Sequence, residues 1–84
     1  MNGTHLGSRN FQLQGRPVVI SIGRKKLRLT LPFTHVILEQ DGKQCTVYYA
    51  IGNSHGLKRI SYDVFPLKCY SRLERELSKY SRAE

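Results

Sequence analysis

Thr34-His35-Val36-Ile37-Leu38-Glu39-Gln40-Asp41-Gly42-Lys43-Gln44-Cys45-Thr46-Val47-Tyr48-Tyr49-Ala50-Ile51 decides the fold class. Two runs rich in β-branched and aromatic residues flank an Asp-Gly pair. Such residues suit the pleated, half-buried surface of a sheet. Asp-Gly supplies at little cost the positive φ that a tight hairpin turn needs. The stretch therefore predicts a strand Thr34–Gln40, a turn at Asp41-Gly42 and a returning strand Lys43–Ile51. Because strand side chains alternate, Cys45, Val47, Tyr49 and Ile51 share one face of the second strand. Thr46, Tyr48 and Ala50 share the other.

Toward the N-terminus, Lys25 to Leu31 alternates as sharply: Leu27, Leu29 and Leu31 on one face, Lys26, Arg28 and Thr30 on the other. Pro32 ends that strand, and Gly23-Arg24 offers a two-residue turn with Gly first. Pro17 opens the preceding strand, Val18 to Ile22, at a position where a missing donor is tolerated. Phe11 and Leu13 alternate with glutamines, and Gly15 breaks the run. Residues 1–10, rich in Gly, Ser, Asn and Thr, are expected to be a flexible tail, leaving 11–84 as one domain.

Toward the C-terminus, Gly52 to Gly56 reads as a loop and Leu57 to Tyr62 as the last strand. The period then changes. Tyr70, Leu73, Leu77 and Tyr80 recur every three or four residues, which predicts a helix over 64–81, with Leu67 extending its apolar stripe backwards. Asp63 is its expected N-cap, with Pro66 tolerated in the first turn; Ser71 and Glu74 offer an alternative capping box. Arg72 and Glu76 are spaced to pair on its surface. The fold expected is α+β: an antiparallel meander of about five strands packed against one C-terminal helix, with Leu27, Leu29, Val36, Leu38, Val47, Tyr49, Ile60, Leu73 and Leu77 buried.

Catalysis finds no support. The 84 residues hold no nucleophile elbow, phosphate loop or dinucleotide fingerprint. Of the six acids, Asp41 and Asp63 are assigned to a turn and a cap, and Glu74, Glu76 and Glu84 lie in the helix or at the terminus, so no acid–base pair emerges. Cys45, His55 and Cys69 lack zinc-ligand spacing, and the two cysteines are expected to stay reduced as small apolar residues. His35 reads as a partly buried strand residue and His55 as a loop residue. No cofactor, metal or catalytic residue is expected. The apolar runs are strand-sized and the N-terminus has no apolar core of a signal peptide, so no membrane association and a cytoplasmic location are expected.

Charge is the strongest pointer to function. Fourteen Lys and Arg against six Asp and Glu give a net +8. So large an excess in a small domain creates a field that draws polyanions. Arg24, Lys25, Lys26 and Arg28 place four cations in five residues across a hairpin tip and the polar face of its strand. Lys58 and Arg59 form a second cluster beside the His55 loop. These six are the candidate nucleic-acid contacts, suited to following a phosphate backbone. Tyr48, opposite the Val47 and Tyr49 face, is a candidate stacking ring. The chain is thus expected to be a small, basic, regulatory nucleic-acid-binding module, for DNA or RNA. The alternative is a protein-interaction or assembly module docking on an acidic partner. Cations segregated onto one face would favour the first, an even distribution the second.

The run Leu29-Thr30-Leu31-Pro32-Phe33-Thr34-His35-Val36-Ile37-Leu38-Glu39-Gln40-Asp41-Gly42-Lys43 resembles the start of a LytTR-type DNA-binding domain: a short strand, a step into an Ile-rich strand ending in Glu, a turn and a returning strand. Tyr70-Ser71-Arg72-Leu73-Glu74-Arg75-Glu76-Leu77 is similar to the family's later Leu-x-x-Leu-Glu-type segment. The resemblance spans about half the chain and implies a small regulatory DNA binder. The family's Phe-x-Arg-x-His-x-Ser segment has no counterpart in these residues, so it carries over no DNA-contacting residue.

Overall fold

The computed structural model describes residues 7–13, 15–30 and 32–80. Strands β1 (Ser8–Gln12), β2 (Val18–Ile22), β3 (Lys25–Leu29), β4 (His35–Asp41), β5 (Gln44–Asn53) and β6 (Gly56–Pro66) precede a 3-10 turn (Leu67–Cys69) and the helix α1 (Tyr70–Ser78). All strand pairs are antiparallel, and the arrangement is α+β with a C-terminal helix, as expected.

The strands form two sheets where one meander was expected. β1-β4-β5-β6 is the larger, and β2-β3 is a separate hairpin. The chain between β1 and β4 explains the split. Leu13 N–H donates to the Thr34 carbonyl at 2.9 Å, closing the neck of an excursion. On either side of that neck a tight turn forms, Arg16 N–H to the Leu13 carbonyl at 3.3 Å and Phe33 N–H to the Thr30 carbonyl at 3.1 Å. Pro17 follows the first turn and Pro32 lies within the second; neither can donate to a ladder, and β2 and β3 leave the plane of the large sheet and fold back over it.

That folding back builds the core. Phe11, Val36, Leu38, Cys45, Val47, Tyr49 and Phe65 line one face of the large sheet, the inner face. Val18, Ile20, Ile22, Leu27 and Leu29 come from the hairpin, and Leu73 and Leu77 from α1, to complete a single buried cluster. Tyr70 and Tyr80 pack against it, so the helical stripe is used as its spacing predicts. Leu31, expected on the Leu27 and Leu29 face, lies outside the described residues.

Several boundaries move. β1 starts at Ser8, so Ser8, Arg9 and Asn10, expected in the tail, are strand residues; residues 1–6 lie outside the described residues. The β4–β5 turn sits on Gly42-Lys43, not Asp41-Gly42, because Asp41 pairs with Gln44 and closes the ladder; Gly42 takes the positive φ (63°). The Gly52–Gly56 loop shrinks to a turn at Ser54-His55, where the Asn53 side-chain oxygen accepts the His55 N–H at 2.7 Å. Gly52 belongs to β5, and its lack of a side chain serves a close approach: a Cβ there would meet the His35 ring at 2.6 Å.

The largest revision is at the helix start. β6 continues through Val64 and Phe65 to Pro66, and Asp63 is a strand residue that accepts the Tyr49 hydroxyl at 2.5 Å. It caps nothing. Phe65 is buried opposite Cys45, which holds the chain extended past the point where the helical stripe was read backwards. α1 has no side-chain cap, and Glu74 is spent on Arg9 at 2.6 Å. Glu76 pairs with Lys79 at 3.3 Å, not with Arg72. The helix ends at Ser78; residue 81, its expected end, lies outside the described residues.

Ile60 was expected in the core and is 47% exposed. The cause is a bulge. Tyr49 pairs with Ser61 and Ala50 with Arg59, so Ile60 is the extra residue with no partner across the ladder. The other expected core residues are buried.

Candidate nucleic-acid interface

The β2–β3 hairpin sorts its cations by the pleat. Val18, Ile20, Leu27 and Leu29 point into the core, so Lys26 and Arg28, with Ser21 and Val19 across from them, face solvent. Arg24 occupies the exposed turn. Lys25 differs: it pairs with Ile22 on the inward side, and its ammonium reaches the end of β6. There it donates to the Val64 carbonyl at 3.0 Å and lies 4.9 Å from the centre of the Phe65 ring. Lys25 thus fastens the hairpin tip to the edge of the large sheet.

At that junction the structure adds Lys68 and Arg72. A groove of about 510 Å³ opens between the hairpin tip, the end of β6 and the start of α1. Ile22, Phe65 and Pro66 give it apolar walls, and Lys25, Lys68 and Arg72 line it. The groove thus brings Lys25, Lys68 and Arg72 together, while Arg24 stands at the adjoining turn and Lys26 and Arg28 project from the hairpin's solvent face.

Lys58 and Arg59 do not join it. They sit at the opposite end of β6, six residues before Val64 in the case of Lys58, or roughly 20 Å along an extended strand. Lys58 is exposed. Arg59 is held: its guanidinium is 2.8 Å from the Glu39 carboxylate and 4.2 Å from the centre of the Tyr48 ring. Tyr48 does lie on the face of the large sheet away from the core, as its alternation predicts, but it is half-buried and one side is occupied by Arg59.

The acids explain why the hairpin cations stay free. Glu39 meets Arg59, Glu74 meets Arg9, Glu76 meets Lys79, and Asp63 meets the Tyr49 hydroxyl. Asp41 is exposed at the end of β4. Among the described residues, no cation of the hairpin or the groove makes an ion pair.

Two groups have shifted acidities, both on the inner face. Burial, then the hydrogen bond to Asp63 and that carboxylate's charge, push the Tyr49 phenol far above its ordinary range. Burial, with a smaller effect from Cys69, pushes the Cys45 thiol up. Both cysteines are free, and Cys45 is buried with its sulfur 3.7 Å from the Pro66 carbonyl. These groups stabilise the interior as neutral side chains. Among the described residues no three His, Cys, Asp or Glu are grouped as a metal site, and no helix is long and apolar enough to cross a membrane.

Tyr62 was missed as a surface feature. It is 63% exposed, its ring centre 5.8 Å from that of Tyr48. The sequence did contain the signal: Tyr62, Val64 and Pro66 alternate with Asp63 and Phe65, which continues the strand pattern past Tyr62. Comparison with protein-family models, with curated proteins and with solved structures finds no match to this chain.

Proposed function

We propose that this chain is a small nucleic-acid-binding module whose phosphate contacts come from the β2–β3 hairpin and the adjoining start of α1. One observation carries the reading: among the described residues Arg24, Lys26 and Arg28 of the hairpin and Lys25, Lys68 and Arg72 of the adjoining groove make no ion pair, while Glu39, Glu74 and Glu76 are paired elsewhere. Unpaired, exposed cations on one region are what a polyanion requires, because each phosphate contact releases condensed counterions. Arg24, Lys26 and Arg28 are the principal contacts. Lys68 and Arg72 extend the path, and Lys25, engaged with β6, orients the tip. Lys58 and Arg59 drop out as principal contacts. The resemblance of residues 29–43 and 70–77 to LytTR-type domains supports a nucleic-acid partner as well.

Titration of labelled single-stranded and duplex DNA and RNA over a range of salt tests this. Three or four phosphate contacts give a slope of log K against log salt of about −3 to −4 on duplex DNA and about −2 to −3 on single strands. A chain that binds none of the four at low salt is not such a module.

A second reading, a protein-interaction module, rests on a separate observation. Leu57, Ile60 and Tyr62 are exposed and all lie on β6, an edge strand of the large sheet. An added strand could pair there. That mode predicts binding to a protein partner that survives loss of Lys26 and Arg28.

A further inference from the structure

We infer that the groove between the hairpin tip, the end of β6 and the start of α1 is a site for a small amphipathic anion: a free molecule with one carboxylate head on an apolar body. Such a ligand is separate from the nucleic acid proposed above. The groove has a volume of about 510 Å³. Small-ligand sites hold ~300–1,000 Å³ and combine apolar walls with a few placed polar groups. Ile22, Phe65 and Pro66 supply the apolar walls here. Ile22 and Phe65 belong to the buried core cluster, so the core holds these walls in place without a ligand.

Lys25, Lys68 and Arg72 line the same groove. The Lys25 ammonium is fixed there by the Val64 carbonyl at 3.0 Å and lies 4.9 Å from the centre of the Phe65 ring. Lys68 and Arg72 are exposed and four residues apart, a spacing at which like charges on a helical surface repel. No acid relieves them: among the described residues none of the three cations makes an ion pair, Glu74 is drawn to Arg9 and Glu76 to Lys79. Charge and apolarity together select the occupant. A neutral apolar molecule leaves three cations unanswered. A bare polyanion leaves the apolar walls in water. An anion with an apolar body buries that body against Phe65 and Pro66 and gives its head charge-assisted hydrogen bonds from Lys68 and Arg72. Cys69 also lines the groove and is a free, partly exposed thiol, so it reports occupancy.

The test titrates the full chain with octanoate, octanol and acetate by calorimetry, and follows alkylation of Cys69 by iodoacetamide in the presence of each. Octanoate is expected to bind once per chain and to slow Cys69 alkylation over the same concentration range. Octanol, which lacks the charge, and acetate, which lacks the apolar body, are expected to bind at least about tenfold more weakly. Lys68→Ala with Arg72→Ala is expected to weaken octanoate binding about ten- to a hundredfold. Both side chains are exposed, so the urea midpoint of that variant stays close to that of the wild type. Octanoate that does not bind, octanol or acetate that binds as well, or a double variant with wild-type affinity overturns the inference. So does Cys69 alkylation that octanoate leaves unchanged, or a Cys69 that does not react in the free chain, since the groove is then closed.

Discussion

The β2–β3 and β5–β6 hairpins carry similar sequence signals and end in opposite situations. Each has adjacent cations near a two-residue turn. In β2–β3 the inward face is apolar and built into the core, and the outward cations make no ion pair among the described residues. In β5–β6 both strands belong to the large sheet, and Arg59 on β6 is captured by Tyr48 on the adjacent β5 and by Glu39 one strand further on. A cluster of cations becomes a binding surface through what its neighbours leave unpaired. The count of positive charges does not decide it.

The contrast breaks most visibly in stability. Leu29→Ala, on the buried side of the first hairpin, is expected to cost about 2–5 kcal/mol, the usual range for deleting a large core side chain. Ile60→Ala, at the bulge of the second, is expected to change stability by less than about 0.5 kcal/mol. Urea denaturation of the two variants checks this. A large loss at Ile60 would mean that the bulge packs, and a small one at Leu29 that the hairpin does not.

Alkaline pH sharpens the distinction between the two faces of β5. The Tyr49 phenol, raised in the folded state, binds its proton more tightly there than in the unfolded chain. Its contribution is fully present below about pH 10, the ordinary tyrosine value, and is lost as pH rises beyond that. Cys45, raised by burial, acts in the same direction from above the ordinary thiol value. Urea midpoints measured below and above about pH 10 are expected to fall further for the wild type than for Tyr49→Phe. Equal falls would show that the Tyr49–Asp63 contact is not formed in solution.

The smallest effect expected is at the captured cation itself. Arg59 and Glu39 are each partly exposed, and a double-mutant cycle on exposed pairs of this kind gives about 0.2–1 kcal/mol of coupling. Coupling indistinguishable from zero, with Arg59 free to contact phosphate, would make the second hairpin resemble the first.

Much of this was legible in the residues. Alternation at Lys25–Leu29 fixed which hairpin side chains are buried, and the three-and-four spacing of Tyr70, Leu73, Leu77 and Tyr80 fixed the helical face. What stayed hidden depended on partners distant in sequence. β1 pairs with β4 across an excursion whose neck is a single long-range ladder, so local pattern favoured a simple meander. Asp63 and Pro66 have the chemistry of a helix start, but burial of Phe65 against Cys45 overrides it. The bulge at Ile60 shifts a period of two by one residue, which alternation alone cannot register. The same holds for the site: the hairpin cations were visible as a run, whereas Lys68 and Arg72 come beside Lys25 only through the placement of the start of α1 beside the hairpin tip.

Salt dependence of binding, measured side by side for two double variants, tests the account most directly. Lys26→Ala with Arg28→Ala is expected to leave the fold intact, since both side chains face solvent, and to flatten the slope of log K against log salt by up to about two units. Lys58→Ala with Arg59→Ala is expected to flatten it by well under one unit, roughly what losing no principal phosphate contact implies. A wild-type slope in the first variant, or equal flattening in both, would contradict the assignment of the β2–β3 hairpin as the phosphate-binding surface.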